Sequence, residues 1–350
     1  MNLTESWKNL PQTVKFILNS TFLIGFLIIL FSISFGNIIM ALVGPILEFI
    51  GTIRIPLGDN KYLSIIPGKF FPSFFTWEIF QRALIASLIV SMIAGLLGTF
   101  LMVRNFSLIG DGLAHVSFGA YSIGIALGGG IAPFWYALGF TIFASVAIEY
   151  LSAKKILTGD ASIAIFLTGM LGLGLVILRR EGGASYADIE SYLFGDLLLI
   201  DESSFNFILL VAILTLISIS FLYQSLLAIS IDPIAARVQG IPVSLISIYF
   251  ATLVGLVVLS MVQIVGVLLV TAILITPSAT AQLIGKSFRS CILYSQLFGI
   301  LIVILGLYFS AEESTGSGST IALVAAIVFL VVASFKIVLK VIIQPNKNLN

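Results

Sequence analysis

Apolar residues fall in long runs separated by short polar islands, and many of the runs reach the roughly 20 residues that a helix needs to cross a hydrocarbon layer. Such runs lie near 16–36, 78–102, 107–128, 132–151, 161–178, 205–224, 241–261, 264–284, 288–310 and 320–343. The fold class predicted is an all-α integral membrane protein, a polytopic bundle of about ten transmembrane helices. Segment 37–50, which holds Gly44 and Pro45, fits two readings: a continuation of the first span, or an interfacial stretch before the loop 51–77. The first run continues from Phe16 to Phe35 with no small-residue cleavage motif, so it reads as a retained helix and not as a signal peptide. No repeat of fixed period is visible, and the Ser/Gly/Thr stretch at 314–320 reads as a turn.

Composition agrees with the pattern. Hydrophobic residues make up 59% of the 350 positions and charged residues only 9%, against about 25% charged in an ordinary soluble domain. The net charge of +1 offers no field for nucleic acid. The single cysteine, Cys291, falls in a predicted helix and reads as a packing residue. Charge placement sets the orientation, because Lys and Arg near span ends stay cytoplasmic. With the N-terminus inside, Lys8, Lys15, Arg104, Lys154, Lys155, Arg237, Lys286, Arg289, Lys336, Lys340 and Lys347 fall at inside ends. The outside loops hold Arg54, Lys61, Lys69, Arg82, Arg179 and Arg180, and most of the acids. An even number of spans with both termini cytoplasmic fits best.

Ionisable groups at membrane depth are costly and mark pathways, so those that cannot reach an interface carry the information. Asp111 and His115 lie in SLIGDGLAHVSFGAYSIG, and a spacing of four puts both on one helical face. Carboxylate and imidazole suit Zn²⁺, Mn²⁺ and Fe²⁺ alike. The plainer reading stays open beside it: Asp111 as a helix cap and His115 bonded to a neighbouring helix. His115 is the only histidine, which excludes a His-rich site and leaves a weak, transient waypoint. Residues 226–244 form a polar island in which Asp232 reads as an N-cap, Pro233 as the first helical residue, and Gly240 as the stop. That describes a short cytoplasmic surface helix, either a linker or an element that inserts into a partner's groove. In 266–285, Thr271, Thr276, Pro277, Ser278 and Thr280 stand among small residues; the proline predicts a broken helix, able to line a pore or merely kinked. The acidic loop 179–204, with Gly195 and Asp196, reads as solvated, or as a docking or cation-attracting surface. No GxxxxGK[ST] loop, HExxH or GxSxG occurs, so the chain is expected to hydrolyse no ATP itself and not to be an enzyme in its own right.

Four of these segments together resemble the permease subunits of the zinc/manganese/iron ABC importer family. Members show GD-x-L-x-H, LFG-D/S, DP-x-x-A-x-x-x-G and LV-x-A-L-L-I-x-P-A-A-T-A; this chain has GDGLAH at 110–115, LFGD at 193–196, DPIAARVQG at 232–240 and LVTAILITPSATAQL at 269–283, in the same order. The resemblance implies an ABC-importer permease in a prokaryotic plasma (inner) membrane, paired as a homo- or heterodimer, with a cytoplasmic ABC ATPase subunit and an extracytoplasmic metal-binding protein. It implies transported Zn²⁺ or Mn²⁺, with Fe²⁺ as a third candidate, and no permanently bound cofactor. Asp111 and His115 would then sit on the metal path. Asp232, Pro233, Ala236 and Gly240 would couple to the ATPase, Thr271, Thr276, Pro277, Ser278 and Thr280 would line the pore, and Gly195 and Asp196 would dock the binding protein. Residues 1–77 read as an N-terminal extension with one span and a loop, and 78–350 as the permease domain. The chain departs from the family at Val116, Ser117 and Phe118, where small apolar residues are usual, and at EESTGSGST (312–320), where many members carry D-x-P-x-G. Rival readings are an ABC permease for a siderophore or cobalamin chelate, and a secondary transporter that needs no ATPase.

Overall fold

A membrane interior offers no water to stray backbone N–H and C=O groups, so helices are the economical way across, and helices dominate this chain. The structure, a computed structural model, describes residues 38–48, 54–56, 62–64, 77–128, 132–181, 192–193, 195 and 200–343. The span expected at 16–36 lies outside the described residues, as does Asp196. Residues 38–48 are helical, α1. A two-stranded antiparallel hairpin follows, β1 (Arg54–Pro56) and β2 (Tyr62–Ser64), with Ile55 opposite Leu63.

The spans then run α2 (Glu78–Val103), α3 (Ile109–Leu127), α4 (Pro133–Ala153), α5 (Gly159–Glu181) and α6 (Glu202–Ile231). The short α7 (Pro233–Val238) leads into α8 (Val243–Val265), and α11 (Phe288–Glu313) and α12 (Ser317–Ile343) close the chain. Between α8 and α11 the run expected as one helix is in pieces: a 3₁₀ turn at Val267–Leu269, α9 (Val270–Leu274) and α10 (Thr276–Ile284). Its breaks have local causes. Gly266, with φ of 77°, ends α8, and Pro277 near the start of α10 supplies no N–H to the preceding turn.

Among the described residues seven helices are long and apolar enough to cross a membrane. α2 and α8 are the central pair, with 83% and 72% of their apolar windows buried, against 22% for α5 and 17% for α12, which form the periphery of the single chain. The helix α3 is not among the seven. Its polar groups and glycines lower its hydropathy, and it is housed against α4, α5 and α8.

The broken helix is seated against α2. A Cβ added at Gly98 would overlap the Leu274 carbonyl oxygen and come within 2.6 Å of Ser278 Oγ, so glycine is what lets the interrupted backbone approach. One turn earlier, the Gly95 carbonyl oxygen lies within hydrogen-bond distance of three hydroxyls: Thr99 at 2.9 Å, Ser278 at 3.2 Å and Ser295 at 3.0 Å. One acceptor on α2 thereby gathers α10 and α11. Because the clashing atom at Gly98 is backbone, Gly98→Ala is expected to destabilise the protein by about 1–3 kcal/mol, the usual range for overpacking. Gly139, where an added Cβ meets nothing within 4 Å, supplies the comparison. In thermal melts of the detergent-solubilised protein, Gly98→Ala should lower the midpoint and Gly139→Ala should leave it in place.

Candidate functional site

Helix α3 begins immediately after a turn in which Asn105 adopts a left-handed φ of 58°, and Phe106 donates its N–H back to the Leu101 carbonyl at 2.9 Å, an α2 ending of the Schellman kind. The N-cap of α3 is Leu108, with no side-chain capping bond, so Asp111 in the first turn is not a cap. Its carboxylate still gains from the positive end of the helix. One turn on, His115 is 7% exposed, and its Nε2 lies 3.6 Å from Asp111 Oδ1, beyond a hydrogen bond. His115 Nδ1 is buried without a hydrogen-bond partner. Neither half of the plainer reading is therefore met. Two ligands about 2.1 Å from a shared ion stand roughly 3–3.5 Å apart, so this pair needs little adjustment to hold one. The Asp111 side chain is 35% exposed, leaving an open side to the pair. Among the described residues no group of three or more His, Cys, Asp or Glu side chains assembles, so these bring two such donors together here.

The broken helix runs alongside. Thr271 Oγ1 is buried with no hydrogen-bond partner and lies 3.7 Å from where a Cβ would stand on Gly110, the neighbour of Asp111. Two other hydroxyls of that segment are engaged: Ser278 in the Gly95 knot, and Thr280 donating to the Thr276 carbonyl at 2.8 Å. Pro277 is buried and Thr276 half-buried. Of the five, Thr271 alone has a buried hydroxyl without a hydrogen-bond partner.

Beyond His115 toward the C-terminal end of α3, the loop after α5 contributes a residue that sequence reading passed over. Tyr192 donates to Ser117 Oγ at 3.2 Å, and its ring lies tilted against that of Tyr121, 4.7 Å between centroids. Burial pushes its phenol up, so it stays protonated and a donor. Gly195, φ 71°, lies against the end of α8, where an added Cβ would overlap Gly266 N and Val265 C. The loop thus reaches the break in the helix at one end and α3 at the other.

At the far end of the bundle, Asp232 caps α7, accepting from Ile234 N at 2.8 Å and Ala235 N at 3.1 Å, with Pro233 at its first position. Ala236 is buried, whereas Ile234 and Val238 stand 70% and 85% exposed. Gly240 turns the chain with φ of 82°. Near this end a buried ion pair, Arg104 Nη2 to Glu149 Oε1 at 2.6 Å, joins α2 to α4. A carboxylate within the apolar run 132–151 was its only signal in the sequence.

Comparison with known proteins places this arrangement. Residues 76–336 match the family model described as the ABC 3 transport family. The chain is 32% identical to the manganese import system permease protein ScaB of Streptococcus gordonii, over 75% of this chain and 93% of that one. It is 31% identical to the manganese transport system membrane protein MntC of Listeria monocytogenes, over 74% and 91%. Among solved structures, PsaBC from Streptococcus pneumoniae in complex with Fab matches with a TM-score of 0.66 and 31% identity, over 75% of this chain and 94% of that chain.

Two glycines with similar backbones separate strain from crowding. Both Gly195 and Gly240 have positive φ, but only Gly195 is crowded. An alanine in the left-handed region costs roughly 1–2 kcal/mol by itself. Gly240→Ala is expected to show that cost alone, and Gly195→Ala a larger drop in thermal midpoint, together with faster proteolysis of the loop after α5.

Proposed function

The chain belongs to the ABC 3 transport family, and on that premise we propose that it is the membrane-spanning permease subunit of an ATP-driven importer for a divalent transition metal ion. Mn²⁺ is the first candidate cargo, since the relatives' names specify manganese; Zn²⁺ and Fe²⁺ share the ligand chemistry. The observation that carries the reading is the Asp111–His115 pair: two donors on one face of a buried helix, mutually unbonded and open on one side. A waypoint must be favourable enough to enter and loose enough to leave, and two donors suit that. A second permease copy, bringing its own pair to the centre, would complete the coordination for the moment of passage. Thr271 is the hydroxyl best placed to assist.

ATP hydrolysis belongs to a partner. The exposed Ile234 and Val238 on α7 suit a groove on a cytoplasmic ATPase subunit, and the Asp232 cap keeps that short helix formed. An extracytoplasmic protein would deliver the metal at the opposite face, where Gly195 lies in the loop after α5, with Asp196 next in sequence. Both termini are cytoplasmic in this arrangement, and the membrane is the plasma membrane of a prokaryote. Residues 1–77 stand before the permease domain proper as an extension.

Elemental analysis of cells expressing the intact system tests this. Even a group that only supports a metal ligand typically costs 10- to 100-fold when replaced, so removing a ligand by His115→Ala should cut Mn accumulation by about tenfold or more while the ATPase still co-purifies with the permease. Asp232→Lys removes a cap worth about 0.5–2 kcal/mol and should lose both uptake and co-purification. A fall in Zn in place of Mn would reassign the cargo. Unchanged metal in both variants would return the chelate and secondary-transport readings.

A further inference from the structure

The ion pair at the end of α2 has more partners than a staple needs. Arg104 Nη2 reaches Glu149 Oε1 on α4 at 2.6 Å and Ser247 Oγ on α8 at 3.3 Å. Its guanidinium carbon lies 5.5 Å from the centroid of the Phe106 ring and 5.3 Å from that of Phe250, the range of a cation–π contact. The Arg104 and Glu149 side chains are 10% and 8% exposed. Stability alone does not call for such a pair, because desolvating two charges roughly offsets their attraction, and apolar replacements of both are often neutral or better.

Its connections run in two directions. Ser247 and Phe250 belong to the start of α8, which α7 feeds directly through Pro242. Phe106 belongs to the turn that starts α3: its carbonyl accepts from Ile109 N at 3.2 Å, and its ring lies against Gly159 at the start of α5, 2.8 Å from an added Cβ. Asp111 is two residues beyond Ile109. Arg104 is thus the one side chain in this group that touches the helix leading from α7, the helix α4, and the turn that carries the candidate metal pair.

We propose that Arg104 is a positioning residue that couples the movement of α7 and α8, driven by the ATPase partner, to the orientation of α3 and its Asp111–His115 pair. This rests on the importer reading above. A planar guanidinium suits the role, because one nitrogen bonds Glu149 and Ser247 while the delocalised charge lies near two rings. A shift of Ser247 and Phe250 with α8 draws on the same group that fixes Phe106 and Glu149, so α3 and α4 follow α8.

The test uses the permease purified with its ATPase partner and reconstituted in proteoliposomes, with Mn²⁺ as the probe and uptake read against ATP hydrolysed. The Arg104→Met/Glu149→Leu double variant removes both charges together, so no buried charge is stranded. It is expected to assemble and to hydrolyse ATP, with Mn²⁺ moved per ATP lowered by about tenfold, within the range typical of coupling between sites. Ser247→Ala, which cuts only the α8 arm, is expected to show the same split in milder form. A double variant that transports with the wild-type ratio, or one that fails to assemble, makes the pair a structural staple and overturns the proposal. The parent reading fails separately, through a wild-type complex that moves no metal with ATP.

Discussion

The demand that every backbone polar group inside a membrane find a protein partner governs this structure, because the chain breaks a helix in the middle of the bundle. Between Gly266 and Thr276 the helical ladder is interrupted twice, and lipid could not satisfy what the interruption frees. The segment is consequently enclosed. Gly98 clears space for the Leu274 carbonyl, Ser278 and Ser295 share the Gly95 oxygen with Thr99, and Gly195 lies across Gly266. Each of those residues looks like a local detail in isolation; together they are the conditions under which a non-helical backbone can exist at that depth.

The polarity of α3 follows from the same enclosure. A helix bearing Asp111 and His115 is too polar to stand in lipid, and it does not have to. Neighbouring α4 and α5 cover most of it, the broken segment runs beside its first turns, and Tyr192 closes over Ser117 and Tyr121. Over its first three turns, what remains open is the Asp111 side. The candidate site lies where a costly ionisable pair and an interrupted backbone coincide, the pairing that membrane interiors tolerate only beside a cavity or within protein.

Lipid thickness made the spans legible from sequence, because it imposes a run length that no packing preference can disguise. The nine expected spans that fall in the described region are each helical, though the run at 264–284 is in pieces. The α7 cap was equally legible, since Asp232 and Pro233 act on their immediate neighbours. Pro277 announced a break but not its extent: the second interruption depends on Gly266, whose backbone is read only once Gly195 is seen against it. The Tyr192–Ser117 bond and the Arg104–Glu149–Ser247 group were not legible, for they join residues 75, 45 and 143 positions apart. Nothing in a local pattern distinguishes such residues from lipid-facing aromatics or inside-end cations. The sequence also left open whether Asp111 was merely a cap, and the answer required seeing Leu108 in that position.

On the proposed importer reading, Asp111 and His115 form a waypoint and not a resident centre. A resident metal centre takes three or four protein donors, and its histidines usually give their second ring nitrogen to a carboxylate or carbonyl that fixes orientation and raises basicity. Here the described residues bring two donors together in one copy, and His115 Nδ1 has no such partner. Without that support the imidazole is a weaker and less rigid ligand, and its carboxylate neighbour stands partly open. On the proposed importer reading, affinity would be low for want of a supporting shell, and release would follow when α3 shifts. Tight binding at this point would trap the ion midway, so the proposed waypoint on α3 and the proposed Arg104 support at its first turn serve one mechanism.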